Sequence, residues 1–72
     1  RVPPAERALR RLSADERAVL EYAVRGEPDK VAAYALDVAP STVANHLRRA
    51  LAKLGLRDRT QLIRTYAAIV ER

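Results

Sequence analysis

The sequence predicts an all-α fold, a compact four-helix domain that contains a helix-turn-helix. The composition of its 72 residues supports helices over strands, because Phe, Trp and Cys are absent, Gly occurs only twice, and Ala, Leu and Arg are abundant. No stretch of useful length alternates polar and apolar residues with the period of a strand. Helix-start and helix-stop signals instead divide the chain into short segments whose apolar residues recur at helical spacing.

Residues 1–11 are expected to form an N-terminal linker or a short helix. Pro3 and Pro4 can begin a helix, because proline lacks only an amide hydrogen that the first turn leaves unbonded. Leu9 and Leu12 would then fold back onto the core, whereas the alternative is a frayed linker.

The first helix of the domain is expected to begin after Ser13 and to end near Arg25. Ser13 and Glu16 have the spacing of a capping box, in which the serine accepts from the amide of Glu16 and the glutamate accepts from the amide of Ser13. Gly26 would end the helix. Four residues are expected on its buried side: Val19, Leu20, Tyr22 and Ala23.

The second helix is expected to begin near Pro28 and to end near Leu36, with Lys30 in its first turn. The small side chains of Ala32 and Ala33 would let another helix approach closely. A three-residue turn then leads to the third helix.

The third helix, from Pro40 to Gly55, has the clearest amphipathic pattern. Its apolar residues recur at steps of four, three, one and three: Val43, Leu47, Ala50, Leu51 and Leu54. The opposite face is expected to point outward and carries Ser41, Ala44, Asn45, Arg48, Arg49 and Lys53.

The fourth helix is expected to start at Arg59 and to run to about Val70, because Asp58 and Gln61 repeat the capping-box spacing. Its apolar residues cover a stripe wider than one core contact needs: Leu62, Ile63, Tyr66, Ala67, Ile69 and Val70. The extra width indicates either a second buried face against another copy of the chain or a larger share of the domain core.

The positive charge is concentrated in the second half of the chain. Residues 1–40 hold seven Arg or Lys and seven Asp or Glu, whereas residues 41–72 hold seven basic and two acidic residues, so the whole net charge of +5 lies there. A one-sided basic balance predicts binding to a polyanion. The alternative is a solvated Arg-rich surface.

The composition also argues against several classes of function. Because there is no Cys and only one His, we expect no metal site and no cofactor, and His46 is expected to pack or to orient the backbone. We expect no enzyme, because no glycine-rich phosphate loop or paired carboxylates are present. No apolar run approaches the roughly 20 residues that span a bilayer, so a cytoplasmic protein without membrane contact is expected.

Two helices joined by a three-residue turn, with the second apolar on one side and basic on the other, have the layout of a helix-turn-helix. An α-helix fits the major groove, where side chains near its N-terminal end reach base edges and Arg or Lys neutralise phosphates. The predicted partner is therefore double-stranded DNA.

The chain resembles the LuxR-type (GerE) DNA-binding domain over about residues 12–66. The resemblance lies in LSADERAVL, in Gly26, Lys30, Ala33 and Leu36, and in STVANHLRRALAKLGLRDRTQLI, which are specific as an ordered set. It implies the output domain of a bacterial-type transcriptional regulator. Such a domain binds an inverted repeat as a homodimer, with the third helix in the major groove and the fourth at the dimer contact.

The resemblance also implies roles for individual residues. Lys30 and Thr42 match positions that meet the DNA backbone. Ala44, Asn45 and Arg48 occupy positions that face base edges, where Arg48 can pair with guanine and Asn45 with adenine.

Ser41 belongs to the same predicted DNA-binding surface, and Arg49 and Lys53 are assigned to phosphates. The dimer contact is assigned to three residues of the fourth helix: Leu62, Tyr66 and Ile69. The boundaries expected from these assignments are 1–11 for the linker or short helix and 12–72 for the DNA-binding domain.

The sequence departs from the family pattern at two positions of the third helix. Ala44 replaces a commonly basic residue and leaves only a methyl group, which can meet a thymine methyl. Ala39 replaces the usual serine at the N-cap, a loss of about 0.5–2 kcal/mol that Pro40 at the first helical position partly offsets.

Two other functions fit parts of the sequence. A protein-interaction module would keep the helix-turn-helix frame and bind a partner through the fourth helix. A domain like region 4 of a sigma factor would contact a promoter as part of RNA polymerase, which is therefore a further candidate partner. The continuation KLGLRDRTQLI into a fourth helix disfavours this last reading.

Overall fold

Five α-helices account for the ordered elements in the computed structural model, which describes the backbone of residues 4–70 and the side chains of residues 7–66. They are α1 (Pro4–Leu9), α2 (Ala14–Val24), α3 (Asp29–Leu36), α4 (Pro40–Leu54) and α5 (Arg59–Val70). The all-α fold is confirmed, and the four helices expected from the sequence are α2 to α5.

Helix α1 precedes these four and packs on them. Ala8 and Leu12 are buried, and Leu9 is partly buried against the core. The guanidinium of Arg17 in α2 donates to the backbone carbonyl of Leu9 at 2.8 Å. The described part of the segment over residues 1–11 is thus a short helix held against the domain.

The capping box at the start of α2 forms as the sequence predicts. The amide of Glu16 donates to Oγ of Ser13 at 3.1 Å, and the amide of Ser13 donates to Oε1 of Glu16 at 2.9 Å. At the other end, Gly26 takes a left-handed φ of 81°, which ends the helix where glycine was expected to end it.

Helices α3 and α4 form the helix-turn-helix. Their turn begins at Asp37, which has a left-handed conformation with φ 58° and ψ 48°. The amide of Val38 then donates to the carbonyl of Ala33 at 3.0 Å and satisfies the end of α3. Ala32 and Ala33 are buried, which confirms their expected role in close helix packing.

Helix α4 lies at the centre of the domain, in contact with α1, α2 and α3. Val43, Leu47 and Ala50 are buried and Leu51 and Leu54 are partly buried against the core, so the apolar side of the amphipathic pattern faces inward as predicted. The helix ends at Gly55, which has φ 71°, and the amide of Leu56 donates to the carbonyl of Leu51 at 2.9 Å.

The start of α5 differs in one bond from the expected capping box. The amide of Gln61 donates to Oδ1 of Asp58 at 2.9 Å, as predicted. However, Oε1 of Gln61 accepts at 2.8 Å from the amide of Arg57 instead of that of Asp58. The helix still begins at Arg59, whose guanidinium forms an ion pair with Asp29 in the first turn of α3.

One hydrophobic core joins the helices. Its buried residues are Leu12, Val19, Leu20, Ala23, Ala32, Ala33, Val43, Leu47, Ala50 and Leu62. The radius of gyration is 11.7 Å, close to the roughly 11 Å expected for a compact chain of this length. The core therefore holds α4 so that one side of this helix stays outside.

Candidate nucleic-acid interface

The outward side of α4 forms a polar surface, which we call the α4 outer face. It consists of five exposed residues: Ser41, Asn45, Arg48, Arg49 and Ala52. At about 100° per residue they fall within an arc of about 100°, opposite the buried side of the helix. No acidic residue occurs in α4, so Arg48 and Arg49 give the face a net positive charge.

The first turn of α4 has the missing cap that the sequence predicts. Ala39 at the N-cap makes no side-chain hydrogen bond, and Pro40 occupies the first helical position. The carbonyl of Ala39 accepts from the amides of Thr42 and Val43 at 3.0 and 3.2 Å. The turn is therefore closed by backbone contacts, with Ser41 exposed and Thr42 half-buried at its surface.

Two residues predicted to contact base edges form a hydrogen bond with each other. Nη1 of Arg48 donates to Oδ1 of Asn45 at 2.7 Å, and both side chains are exposed. They lie three residues apart, which places neighbours on one side of a helix. The structure thus brings these two predicted site residues together on the α4 outer face.

Ala44 and Lys30, two other predicted DNA-contact residues, differ in exposure and in the helix that carries them. Ala44 is half-buried, at the border between the core and the outer face of α4. Lys30 is exposed in the first turn of α3, the other helix of the helix-turn-helix. Arg49 follows Arg48 and is also exposed, so the two helices of the motif carry three exposed cations besides Lys53.

Lys53 has a partner that the sequence did not indicate. Its ammonium lies 2.7 Å from Oε1 of Glu16, the capping carboxylate of α2, and the Lys53 side chain is 42% exposed. This hydrogen bond and that from the amide of Ser13 hold the pKa of Glu16 below its ordinary value, against the opposing effect of burial. One of the three donors of the Lys53 ammonium is therefore used within the protein, and the assignment of Lys53 to a phosphate stays a prediction.

His46 packs at the other border of the α4 outer face. Its Nδ1 is buried and has no hydrogen-bond partner within residues 4–70. Of the two roles expected for this residue, packing is therefore the one that the geometry of Nδ1 favours. In the part of the chain that the structure describes, no group of three or more residues could hold a metal ion.

The residues assigned to a dimer contact differ in how far the structure buries them. Leu62 is only 1% exposed and lies in the core of its own protomer, so we correct the expectation that it contacts a partner. Tyr66 is half-buried and packs against the core, and Ile69 lies outside the side chains that the structure describes. Ile63 is 38% exposed and is the large apolar side chain that α5 presents to solvent among its described residues.

The stripe pattern of α5 did not distinguish these two neighbours. Leu62 and Ile63 are adjacent apolar residues in one broad stripe, and only the packing of α5 on α1 and α2 shows which of them turns inward. The exposure of Tyr34 was also not predicted. Its side chain is 92% exposed on α3, and the residue type alone gives no signal for that orientation. None of the helices over residues 4–70 is long and apolar enough to cross a membrane.

The family described as bacterial regulatory proteins, luxR family, matches residues 10–66. The chain is 41% identical over 56 residues to the transcriptional regulatory protein FixJ of Rhizobium meliloti (strain 1021). That alignment covers 78% of the chain but 28% of FixJ, so the chain spans little more than a quarter of its relative. No solved structure matches the chain.

Proposed function

The chain belongs to the luxR family of bacterial regulatory proteins, as its motifs predicted, and from this premise we propose that it is a DNA-binding output domain of a transcriptional regulator. In this proposal the domain binds a specific duplex sequence with α4 in the major groove. The observation that carries the proposal is the α4 outer face, an exposed, acid-free surface on the second helix of a helix-turn-helix.

The shape of α4 suits the major groove. A helix with its side chains is about 10–12 Å across, and the groove of B-DNA is about 12 Å wide. The buried side of α4 is anchored in the core through Val43 and Leu47, so the helix can enter the groove without being released from the domain. Asn45 and Arg48 on the opposite side then meet the base edges.

The phosphate contacts are assigned to residues that flank this readout. Lys30 in α3 and Arg49 in α4 supply charge, and Ser41 and Thr42 supply hydroxyl groups at the start of α4. Each phosphate that a cation neutralises releases counterions, so these contacts set the salt dependence of binding. Ala44 contributes a methyl group at the edge of the surface.

Dimerisation through α5 completes the proposal. A twofold dimer presents two copies of α4 and therefore selects an inverted repeat, with half-sites about one helical turn apart. Ile63 supplies an exposed apolar side chain, Tyr66 a half-buried one, and Ile69 is included from the sequence pattern. We place the whole regulator in the cytoplasm, with a sensory segment outside this chain.

The first experiment selects bound sequences from a pool of random duplexes with the 72-residue protein. Binding of the selected duplex is then measured by fluorescence anisotropy at several salt concentrations. With Lys30 and Arg49 neutralising two phosphates per protomer, the slope of log K against log salt is expected to be about −4 for a dimer. Failure to recover any common sequence, or a slope near zero, would refute the proposal.

A matched pair of variants assigns the binding surface. Arg48→Ala is expected to weaken binding of the selected duplex by about 1–3 kcal/mol. Arg10→Ala removes the same charge from an exposed residue outside α3 and α4, and is expected to change binding little. Equal losses in the two variants would mean that only net charge matters. The protein-interaction function would be correct if Arg48→Ala left the regulatory activity of the protein unchanged while Tyr66→Ala abolished that activity.

A further inference from the structure

The hydrogen bond between Asn45 and Arg48 changes what each residue is able to do. Oδ1 of Asn45 accepts from the charged Nη1 of Arg48 at 2.7 Å, within the range of strong charge-assisted bonds. The asparagine had been expected to recognise adenine by itself. A bidentate contact with adenine needs its Oδ1 to accept from the base amino group while its Nδ2 donates to the ring nitrogen. The observed bond directs that oxygen toward Arg48.

Arg48 keeps its capacity for a base contact in this arrangement. A guanidinium has five N–H donors, and one of them is used by Asn45. The remaining donors suffice for a bidentate contact with O6 and N7 of guanine. The bond to Asn45 restricts the rotation of a long, exposed side chain and so lowers the ordering that DNA binding requires.

The neighbouring arginine shows that this restraint is selective. Arg49 is exposed on the same helix, and the structure gives its side chain no partner among the described residues. A mobile cation is adequate for a phosphate, which is contacted as a charge, whereas a base edge requires a fixed direction. The restrained arginine is the one that the family resemblance assigns to the base edges.

The acceptor that holds Arg48 is an amide, and this choice matters on a DNA-binding surface. A carboxylate at the same position would also accept from Arg48, but its charge would cancel that of the guanidinium and would be repelled by phosphates. The neutral Oδ1 of Asn45 orients the guanidinium and leaves the charge of α4 intact. No acidic residue of α4 competes for Arg48.

We propose that Asn45 is a positioning residue for Arg48 and that the two side chains read a single guanine as one unit. This inference rests on the proposed function, since it concerns how the α4 outer face selects its DNA. It predicts that the loss of either side chain affects the same base pair of the site. It also predicts that no separate adenine depends on Asn45.

The test is a double-mutant cycle on duplexes that carry each of the four bases at every position of the selected site. Affinities are measured for the wild type, Asn45→Ala, Arg48→Ala, the double variant and Arg10→Ala as the control. Arg48→Ala is expected to lose about 5- to 150-fold in preference for one guanine. Asn45→Ala is expected to lose part of that same preference, and the double variant to lose no more than Arg48→Ala.

Asn45→Asp separates positioning from base reading. Aspartate keeps the oxygen that accepts from Arg48 but lacks the amide donor that adenine recognition requires. The guanine preference is therefore expected to survive in Asn45→Asp, while affinity for all duplexes falls because of the added negative charge. The proposal is overturned if Asn45→Ala removes a preference for adenine at another position and leaves the guanine preference unchanged. It is also overturned if Asn45→Asp loses the guanine preference to the same extent as Asn45→Ala.

A measurement without DNA distinguishes this inference from the proposed function. In NMR spectra of the free protein, Arg48→Ala is expected to shift the side-chain amide signals of Asn45, whereas Arg49→Ala is expected to leave them in place. If the pair is present but the wild type binds no duplex, the proposed function fails and the shared readout fails with it. If the wild type binds one sequence and the effects of the two substitutions fall on different bases, the proposed function stands and this inference alone fails.

Discussion

Replacing Leu62 by alanine tests where α5 belongs, because this residue was expected at a dimer contact and lies in the protomer core. Its side chain is 1% exposed, on a helix that packs against α1 and α2. A buried Leu→Ala substitution costs about 2–5 kcal/mol, so we expect about 3 kcal/mol. The whole stability of 72 residues is about 4–11 kcal/mol. With a urea m-value of about 1 kcal/mol/M, the unfolding midpoint should fall by about 3 M.

The assay is urea unfolding followed by circular dichroism at two protein concentrations. Ile63→Ala is the matched control, since it removes an apolar side chain from the next residue of α5, which is 38% exposed. It is expected to cost less than about 1 kcal/mol in the monomer and to weaken self-association. The reasoning fails if Leu62→Ala lowers the free energy of unfolding by less than about 1 kcal/mol. It also fails if the wild-type midpoint depends on protein concentration, as for a dimer, and the only effect of Leu62→Ala is to remove that dependence.

Three further substitutions test other parts of the structure. Glu16→Gln should lower the free energy of unfolding at pH 7, because the ionised carboxylate of Glu16 stabilises the folded state. The difference from the wild type should shrink as the pH falls below 4.5, the ordinary pKa, and vanish below the lowered pKa of the folded state. Urea unfolding at pH 7 and pH 3 measures this, and an equal difference at both would contradict it. Asp37→Gly should raise stability by about 1 kcal/mol or less, since glycine has no Cβ and adopts the left-handed φ of 58° without strain. A lower melting temperature would show that contacts of the aspartate side chain stabilise the fold by more than its left-handed backbone destabilises it. Ala44→Lys should tighten binding of all duplexes and steepen the salt slope by about 0.9 per protomer, so an effect confined to one base position would mean that α4 sits differently in the groove.

The helices were predictable because their signals are local. Ser13 and Glu16 specify the start of α2 over four residues, and Gly26 and Gly55 mark ends that need a left-handed backbone. The same holds for the buried side of α4, whose apolar residues recur at the helical period. Sequence also placed Asn45 and Arg48 on one surface, since a spacing of three residues puts them side by side.

The remaining features depend on contacts between segments that are distant in sequence. Lys53 meets Glu16 37 positions away, and no pattern within α4 distinguishes this lysine from a free surface cation. Arg59 meets Asp29 at a separation of 30 residues. In α5, a broad apolar stripe does not say which side faces the core, so Leu62 was given a role that its burial excludes.

These ion pairs change how the positive charge of the chain should be understood. The net charge of +5 lies entirely in residues 41–72, yet Lys53 and Arg59 there are paired with acidic residues of the first half. Two of the seven basic residues in that half therefore join the helices to one another, and the α4 outer face carries two exposed arginines. A surface with only two cations gains little from nonspecific attraction, since that attraction grows with the number of phosphates neutralised. In the proposed function, the preference for one DNA sequence therefore depends on the direction in which Arg48 is held by its hydrogen bond to Asn45, and on the doubling of contacts in the proposed dimer.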